Sequence, residues 1–542
     1  MTVMTTGEVM AESLIAHEVN TVFGIPGAHM YDFNDALARR RDKLRFITSR
    51  HEQGAAYMAY GYAKSTGRVG TYTVVPGPGV LNSGAALCTA YGATSPVLCL
   101  TGNIMSHLIG QGRGQLHELP DQLALLRGLT KWAERIDHPT DAGRTMAEAF
   151  RQLRSGRVRP VAVEVPWDVF GMKAEVRPVE PLVPIPPPLP DPTAVETAAR
   201  LIATARRPLI SVGAGALAAS DAVLELARKL QAPVTAHRSG KGIVTEESPY
   251  GMSMAAAWDY WKGCDLLIGI GSRLELQYFR WKWFPRNLKV IRIDIDPTEM
   301  VRLKPDAAIV ADASEGTRAL TSALGASYKP PTSREAEFSE IKQRALVAIQ
   351  SIGPQMQYLN VIREVLPRDG YFCEEISQMG FTARFGFPVY APRQYVTCGY
   401  QDNLGFGFNS ALGVKVAHPD KAVVAITGDG GFLYGVQELA TAMQHRINLV
   451  TVVFNNSAFG NVRRDQLERY DGRLLGADLL NPDFVRLAES FGALAGKVHT
   501  PEELKPVLQR ALEADRPFVI EVACPRDGET SPWTVLHPAP PT

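Results

Sequence analysis

The chain of 542 residues is too long for one hydrophobic core, so two to four domains are expected. With 45% hydrophobic and 21% charged residues and a net charge of +1, it reads as a soluble globular protein, which excludes nucleic acid or a membrane surface as the main partner. No apolar run is long enough to span a bilayer, and six scattered cysteines without a C-x-x-C pair and eleven histidines without metal-ligand spacing point to a cytoplasmic protein with reduced thiols and no zinc site.

From the N-terminus, "MTVMTTGEVMAESLIAHEV" has no basic leader and reads directly as an amphipathic helix. "NTVFGIPG", "GTYTVVPGPG" and "PVLCLTG" are short apolar runs that end in glycine turns, as parallel strands do. The proline-rich stretch from Arg177 to Pro192 is expected to be an extended linker. "RPLISVGAG", "CDLLIGIGSR" and "LKVIRIDIDP" repeat the strand–turn pattern in a second block. A second linker is expected at "SYKPPTSREAE", Ser327 to Glu337, and a third block follows with "KAVVAITGDG", "INLVTVVFNN" and "RPFVIEVAC". The fold class is therefore α/β, with three doubly wound parallel-sheet domains at residues 1–176, 191–328 and 356–542. Ligands in such sheets bind at the carboxyl ends of the strands.

Two strand ends in the third block carry unusual polar groups. "TGDGG" follows one apolar run and "NN" follows the next, with twenty-four residues between G-D-G and N-N. A carboxylate, an amide oxygen and nearby carbonyls are hard oxygen donors that suit Mg²⁺, while Gly428, Gly430 and Gly431 admit a phosphate close to the backbone. The competing reading is that Asp429 and the asparagines only cap turns.

The full spacing resembles the cofactor motif of the thiamine diphosphate-dependent decarboxylases and carboligases. The resemblance implies thiamine diphosphate and Mg²⁺ as cofactors. It implies Asp429, the Asn456 side chain and the Ala458 carbonyl as metal ligands, with Phe459 and Gly460 completing the cofactor loop and Asn455 outside the ligand set. "TSRHEQGAAYMAYGYAKSTGRVG" resembles the segment that carries the family's catalytic glutamate, here Glu52. Its carboxyl would hydrogen-bond N1′ of the aminopyrimidine and so favour proton removal from C2. Without that resemblance, Glu52 would read as an acid favoured at a helix N-terminus. "FGIPGAHMYDFNDAL" and "VPGPGVLNSGAAL" resemble the cofactor-facing loops of the first domain, which implies roles for Pro26 and Asn82. In "GYQDNLGFGF", Leu404 stands where the family has the apolar wedge between the cofactor's two rings. Asp402 stands where relatives have a glycine whose carbonyl accepts from N4′. The three blocks would be the pyrimidine-binding, central and diphosphate-binding domains. A homodimer or homotetramer is implied, with the cofactor between the first domain of one subunit and the third domain of another.

Within the family the closest resemblance is to acetolactate synthase catalytic subunits, with benzaldehyde lyase also near. The departures from acetolactate synthases are specific. The flavin-contacting region is replaced by "GSRLELQYFRWKW" and "GMSMAAAWDYW", so FAD is not expected. The acceptor-site tryptophan aligns with Asp465, and the active-site glutamine with His117 in "GQGRGQLHELPDQ". His117 and His29 ("PGAHM") are the candidates for handling substrate protons or oxygens, while His51 is expected to support the turn before Glu52. The expected activity is C–C bond cleavage or formation on a small 2-oxo acid or 2-hydroxy ketone. The alternatives are a benzaldehyde lyase-like enzyme and a catalytically silent regulatory homologue.

Overall fold

The computed structural model describes residues 1–326 and 328–540. Ser327, Pro541 and Thr542, which fall in the second expected linker and at the end of the third expected domain, lie outside the described residues. Among the described residues, no helix is long and apolar enough to cross a membrane.

The N-terminus corrects the first expectation. Thr2–Thr5 is a strand, β1, and the helix begins only at Thr6. The Thr5 side chain accepts from the Glu8 amide while Glu8 caps the Thr5 amide, a reciprocal cap that sets the helix start there. The first domain then supplies β2 (Thr21–Gly24), β3 (Arg45–Thr48), β4 (Gly70–Val74), β5 (Val97–Asn103), β6 (Trp132–Arg135) and β7 (Val161–Pro166). These form one parallel sheet in the order β3-β2-β4-β5-β7-β6. β1 pairs antiparallel with β8 (Lys173–Val176), so the beginning and end of the domain are tied together.

Residues 177–191 form no regular element and are mostly exposed, as the proline content requires. The central domain contains β9 (Pro208–Val212), β10 (Val234–Ala236), β11 (Gly251–Met252), β12 (Leu266–Ile270), β13 (Lys289–Asp294) and β14 (Ala307–Val310). Their order is β11-β10-β9-β12-β13-β14. The second expected linker ends early, because Glu335–Gln350 is a helix. Phe338, Ile341, Ala345 and Ile349 form its buried stripe, and Phe338 packs edge-on against Tyr250 and Tyr260 of the central domain.

The third domain holds β15 (Tyr371–Cys373), β16 (Tyr395–Val396), β17 (Val423–Gly428), β18 (Val450–Asn455), β19 (Leu494–Val498) and β20 (Phe518–Ala523), in the order β16-β15-β17-β18-β20-β19. Numbered within each domain, the first and third sheets share the order 2-1-3-4-6-5, whereas the central sheet runs 3-2-1-4-5-6. The first and third domains thus have the same strand order, and the central domain has the dinucleotide-fold order. The inner strands, such as β4, β5, β7, β9 and β12, are buried on both faces, as parallel sheets between helix layers are, while the edge strands β3 and β19 are partly exposed.

The first and third domains meet through two helices, Glu52–Thr66 and Gly407–Ala417. Their backbones nearly touch: a methyl on Gly61 would lie 1.9 Å from the Ser410 carbonyl oxygen, and one on Gly413 would lie 1.9 Å from that of Met58. Only glycine permits this approach. All six cysteines are free.

Candidate active site

β17 and β18 are adjacent and parallel, with Gly428 opposite Phe454, so Asp429 and Asn456 emerge side by side at the carboxyl edge. Asp429 is buried and opens a one-turn helix, Asp429–Phe432. Its carboxylate accepts from Asn481 Nδ2 at 2.6 Å, and the same amide donates to Asn455 Oδ1 at 2.9 Å. Burial raises the Asp429 pKa, a cost that a bound cation would relieve. Asn455 also donates to Glu521 at 2.9 Å. The Asn456 side-chain oxygen accepts from the Ala458 amide at 3.1 Å, across Ser457 in a left-handed conformation, φ 54°. Gly430 lies against the Phe459 ring, where a methyl would sit 2.4 Å away, and Gly460 abuts the Asn456 amide. Asp429, the Asn456 amide and the Ala458 backbone are therefore gathered at one edge, and this donor set fits Mg²⁺.

The second cluster lies at the matching edge of the first domain. Glu52 is the first residue of its helix, and His51 caps that helix by accepting the Gln53 amide at 3.1 Å, which fits the supporting role expected of it. The half-buried Glu52 carboxylate meets Asn82 Nδ2 at 3.0 Å. Pro26 is exposed on the loop after β2. His29 and His117 come together, with ring centroids 5.2 Å apart, and His29 stands edge-on to Trp167 at 4.7 Å. Both histidines have left-handed backbones, φ 68° and 66°, a strained state that recurs at functional sites. Nδ1 of each ring is buried without a hydrogen-bond partner. Burial, and then the neighbouring His117, lowers the His29 pKa.

The third cluster is the 399–405 loop. Asp402 has φ 44° and ψ 50°, a left-handed conformation that residues other than glycine rarely adopt. Leu404 is half-buried. Asp465 is partly exposed on the helix Gly460–Arg469, 4.0 Å from Arg469. Within one chain, the recorded side-chain partners of Glu52 and Asp429 are different residues.

Five organising residues were not singled out from the sequence. Gln122 is buried, accepts from Gly77 N and donates to the Gly102 carbonyl, each at 2.8 Å, which fixes the floor beneath the two histidines. Asn481 orients Asp429, and Glu529 accepts from Asn456 Nδ2 at 2.8 Å. Glu438 accepts the amides of Arg50 and His51. Glu375 accepts those of Gly405 and Gly407 at 2.5 and 2.8 Å. Only Glu375 had a visible signal, an acid pair directly after the apolar run "YFC".

These polar clusters lie in the first and third of three parallel α/β domains, at the carboxyl edges where ligands bind in such sheets. Residues 4–125, 195–320 and 375–522 match, in turn, the N-terminal binding domain, the central domain and the C-terminal binding domain of thiamine pyrophosphate enzymes. A probable acetolactate synthase large subunit of Methanocaldococcus jannaschii is 34% identical over 543 residues, covering 95% of this chain and 91% of the relative. A probable 2-ketoarginine decarboxylase of Pseudomonas aeruginosa is 31% identical over 542 residues, covering 96% and 95%. An acetolactate synthase large subunit of Haemophilus influenzae is 32% identical over 542 residues, covering 94% and 93%. The chain belongs to the thiamine pyrophosphate enzyme family, among its acetolactate synthase-like decarboxylases and carboligases.

Proposed function

We propose that this enzyme binds thiamine diphosphate and Mg²⁺ between two subunits and uses them to break the bond beside the carbonyl of a 2-oxo acid or 2-hydroxy ketone. The carbon fragment then passes to a proton or to a carbonyl acceptor. The observation that carries this reading is the pairing of Glu52, with one recorded partner, Asn82, and the Asp429–Asn456–Ala458 cluster, at the same edge of two sheets of identical strand order. The family resemblance supports assembly from two copies, as a homodimer or homotetramer, with one cluster from each.

When bound, the cofactor would supply a nucleophilic carbon and an electron sink for the bond beside the substrate carbonyl. Asp429, Asn456 and the Ala458 carbonyl hold the metal that neutralises the diphosphate. Glu52 holds a proton at the pyrimidine ring, with Asn82 fixing its carboxyl. The Asp402 carbonyl would be an acceptor for the cofactor's amino group, and Leu404 would be the apolar side chain that packs against the cofactor. The paired His29 and His117 bind the substrate oxygen and carry protons to and from it.

FAD is not part of this proposal. Where acetolactate synthases have their flavin-contacting segment, this chain places Glu275 and Arg280, which pair with each other at 3.3 Å. A second reading of substrate is a 2-oxo acid with a basic tail. It is favoured by the 2-ketoarginine decarboxylase relative and by Asp465, an acid whose one recorded partner is the distant Arg469. A cytoplasmic location completes the proposal, resting on the reduced, scattered cysteines.

The test is product analysis with pyruvate, glyoxylate, benzoylformate, benzoin and 2-ketoarginine, each with and without thiamine diphosphate and Mg²⁺. Asp429→Ala is expected to abolish the thermal stabilisation given by cofactor plus metal. No cofactor-dependent product from any of these, together with an unchanged thermal shift in Asp429→Ala, would overturn the reading.

A further inference from the structure

The Asp402 carboxylate sits in a buried group of ions assembled from two domains. Arg384 comes from the third-domain helix Gln378–Gly386 and donates to Asp402 at 2.8 Å. Arg238 comes from a central-domain turn and donates to the same carboxylate oxygen. Arg280, from the central-domain helix Leu276–Trp281, reaches the other oxygen at 3.5 Å. The three arginine side chains are 0, 2 and 5% exposed, in that order. Their charges are matched by Asp402, Glu275 and Glu374, three against three, so the group has no charge left to bind a free anion. Burial alone would raise the Asp402 pKa, but Arg384 and Arg238 outweigh it and hold the carboxyl below its ordinary range.

The flanking residues of the loop are gripped as well, but by neutral or aromatic contacts. Arg273 of the central domain stacks on the Tyr400 ring at 3.8 Å. Asn403 bonds Tyr57 and Thr89 of the first domain, and Gln401 reaches the Cys88 carbonyl at 3.3 Å. Asp402 is thus the charged pin of a loop held at the junction of three domains.

We propose that Asp402 is a positioning residue: its carboxylate, clamped by Arg238, Arg280 and Arg384, locks the left-handed turn that aims its own carbonyl and Leu404 at the cofactor. A glycine here would adopt the turn freely but would have no side chain to be held by. Here the side chain supplies the hold and couples the central domain to the proton-transfer step. This inference rests on the proposed cofactor site.

The experiment compares wild type with Asp402→Gly, Asp402→Asn and Arg238→Lys. Each is loaded with thiamine diphosphate and Mg²⁺, binding is followed by thermal shift, and deuterium exchange is followed at the cofactor's C2 proton. Backbone amide exchange of residues 399–407 is measured in the same proteins without cofactor. Asp402→Gly keeps the turn accessible and removes the clamp. It is expected to retain binding, to loosen the loop amides, and to slow C2 exchange roughly ten- to a hundredfold, the scale of a displacement of about 1 Å at a reacting group. Arg238→Lys keeps the charge balance, and so the fold, but a single ammonium cannot serve Glu275 and Asp402 together. It is expected to shift both readouts in the same direction, and it decides the matter if Asp402→Asn does not fold. C2 exchange at the wild-type rate in Asp402→Gly would overturn the clamp, because the turn alone would then suffice. If wild type binds no thiamine diphosphate, the functional reading fails. The loop amides of Asp402→Gly then still report on the clamp, and unchanged protection there overturns it.

Discussion

Glu438 accepts the backbone amide of His51 at 2.9 Å, so a third-domain side chain holds the residue directly before Glu52. The same carboxylate takes the Arg50 amide at 3.1 Å and the Thr441 hydroxyl at 2.6 Å, and it is fully buried. Glu438→Ala leaves those amides without partners. The expected cost is about 1–3 kcal/mol in urea unfolding, together with a loss of turnover, because the start of the Glu52 helix is no longer held. Unchanged stability in that variant would show that water replaces the carboxylate.

The contact between the helices of Gly61 and Gly413 predicts a larger mechanical effect. Gly61→Ala places a methyl 1.9 Å from the Ser410 carbonyl, and the helices must separate to admit it. A loss of about 3 kcal/mol is expected, at the upper end for overpacking. Gly413→Ala strains the same contact from the other side, so the double variant should lose less than the sum of the two. Urea denaturation of all three variants checks both statements.

Glu375 predicts a pH dependence. Burial pushes its carboxyl up to about 7 from the ordinary value near 4.5, only partly offset by the Gly407 and Gly405 amides. The native state therefore binds more protons than the unfolded chain between those values. Stability from this group is full below about pH 4.5, falls as pH rises towards 7, and is level above that. The integrated change is about 3 kcal/mol. Glu375→Gln should remove that slope, so the difference in urea midpoint between variant and wild type should change between pH 5 and pH 7.5. A constant difference would mean that Glu375 titrates normally.

The proposed sharing of the active site between two subunits predicts complementation. Glu52→Gln and Asp429→Ala should each be inactive alone. Unfolded together and refolded as a mixture, they should recover about a quarter of wild-type activity. Half of the random dimers are mixed, and each mixed dimer keeps one intact site. No recovery in a mixture shown to contain mixed dimers would place both residues in a site formed by a single chain.

The alternation of apolar runs and helical patterns was enough to read nine strands, three parallel α/β domains and the proline linker, because local periodicity encodes burial on both faces of a sheet. The positions of Asp429 and Asn456 at strand ends were legible in the same way, since each stands at the end of an apolar run, whereas Glu52, separated from β3 by three residues, was marked only by the family resemblance. The strand at Thr2–Thr5 was not legible, because its pairing partner lies more than 160 residues away, at Lys173–Val176. Nor was the shared strand order of the first and third sheets, which depends on crossovers that leave no local trace. Asp402 shows the division most clearly. The sequence marked it as a departure from glycine and left its backbone open, whereas its left-handed turn is held by arginines 18, 122 and 164 residues away. A charge is buried in a fold only where opposite charges converge on it, and that convergence comes from the packing of whole domains.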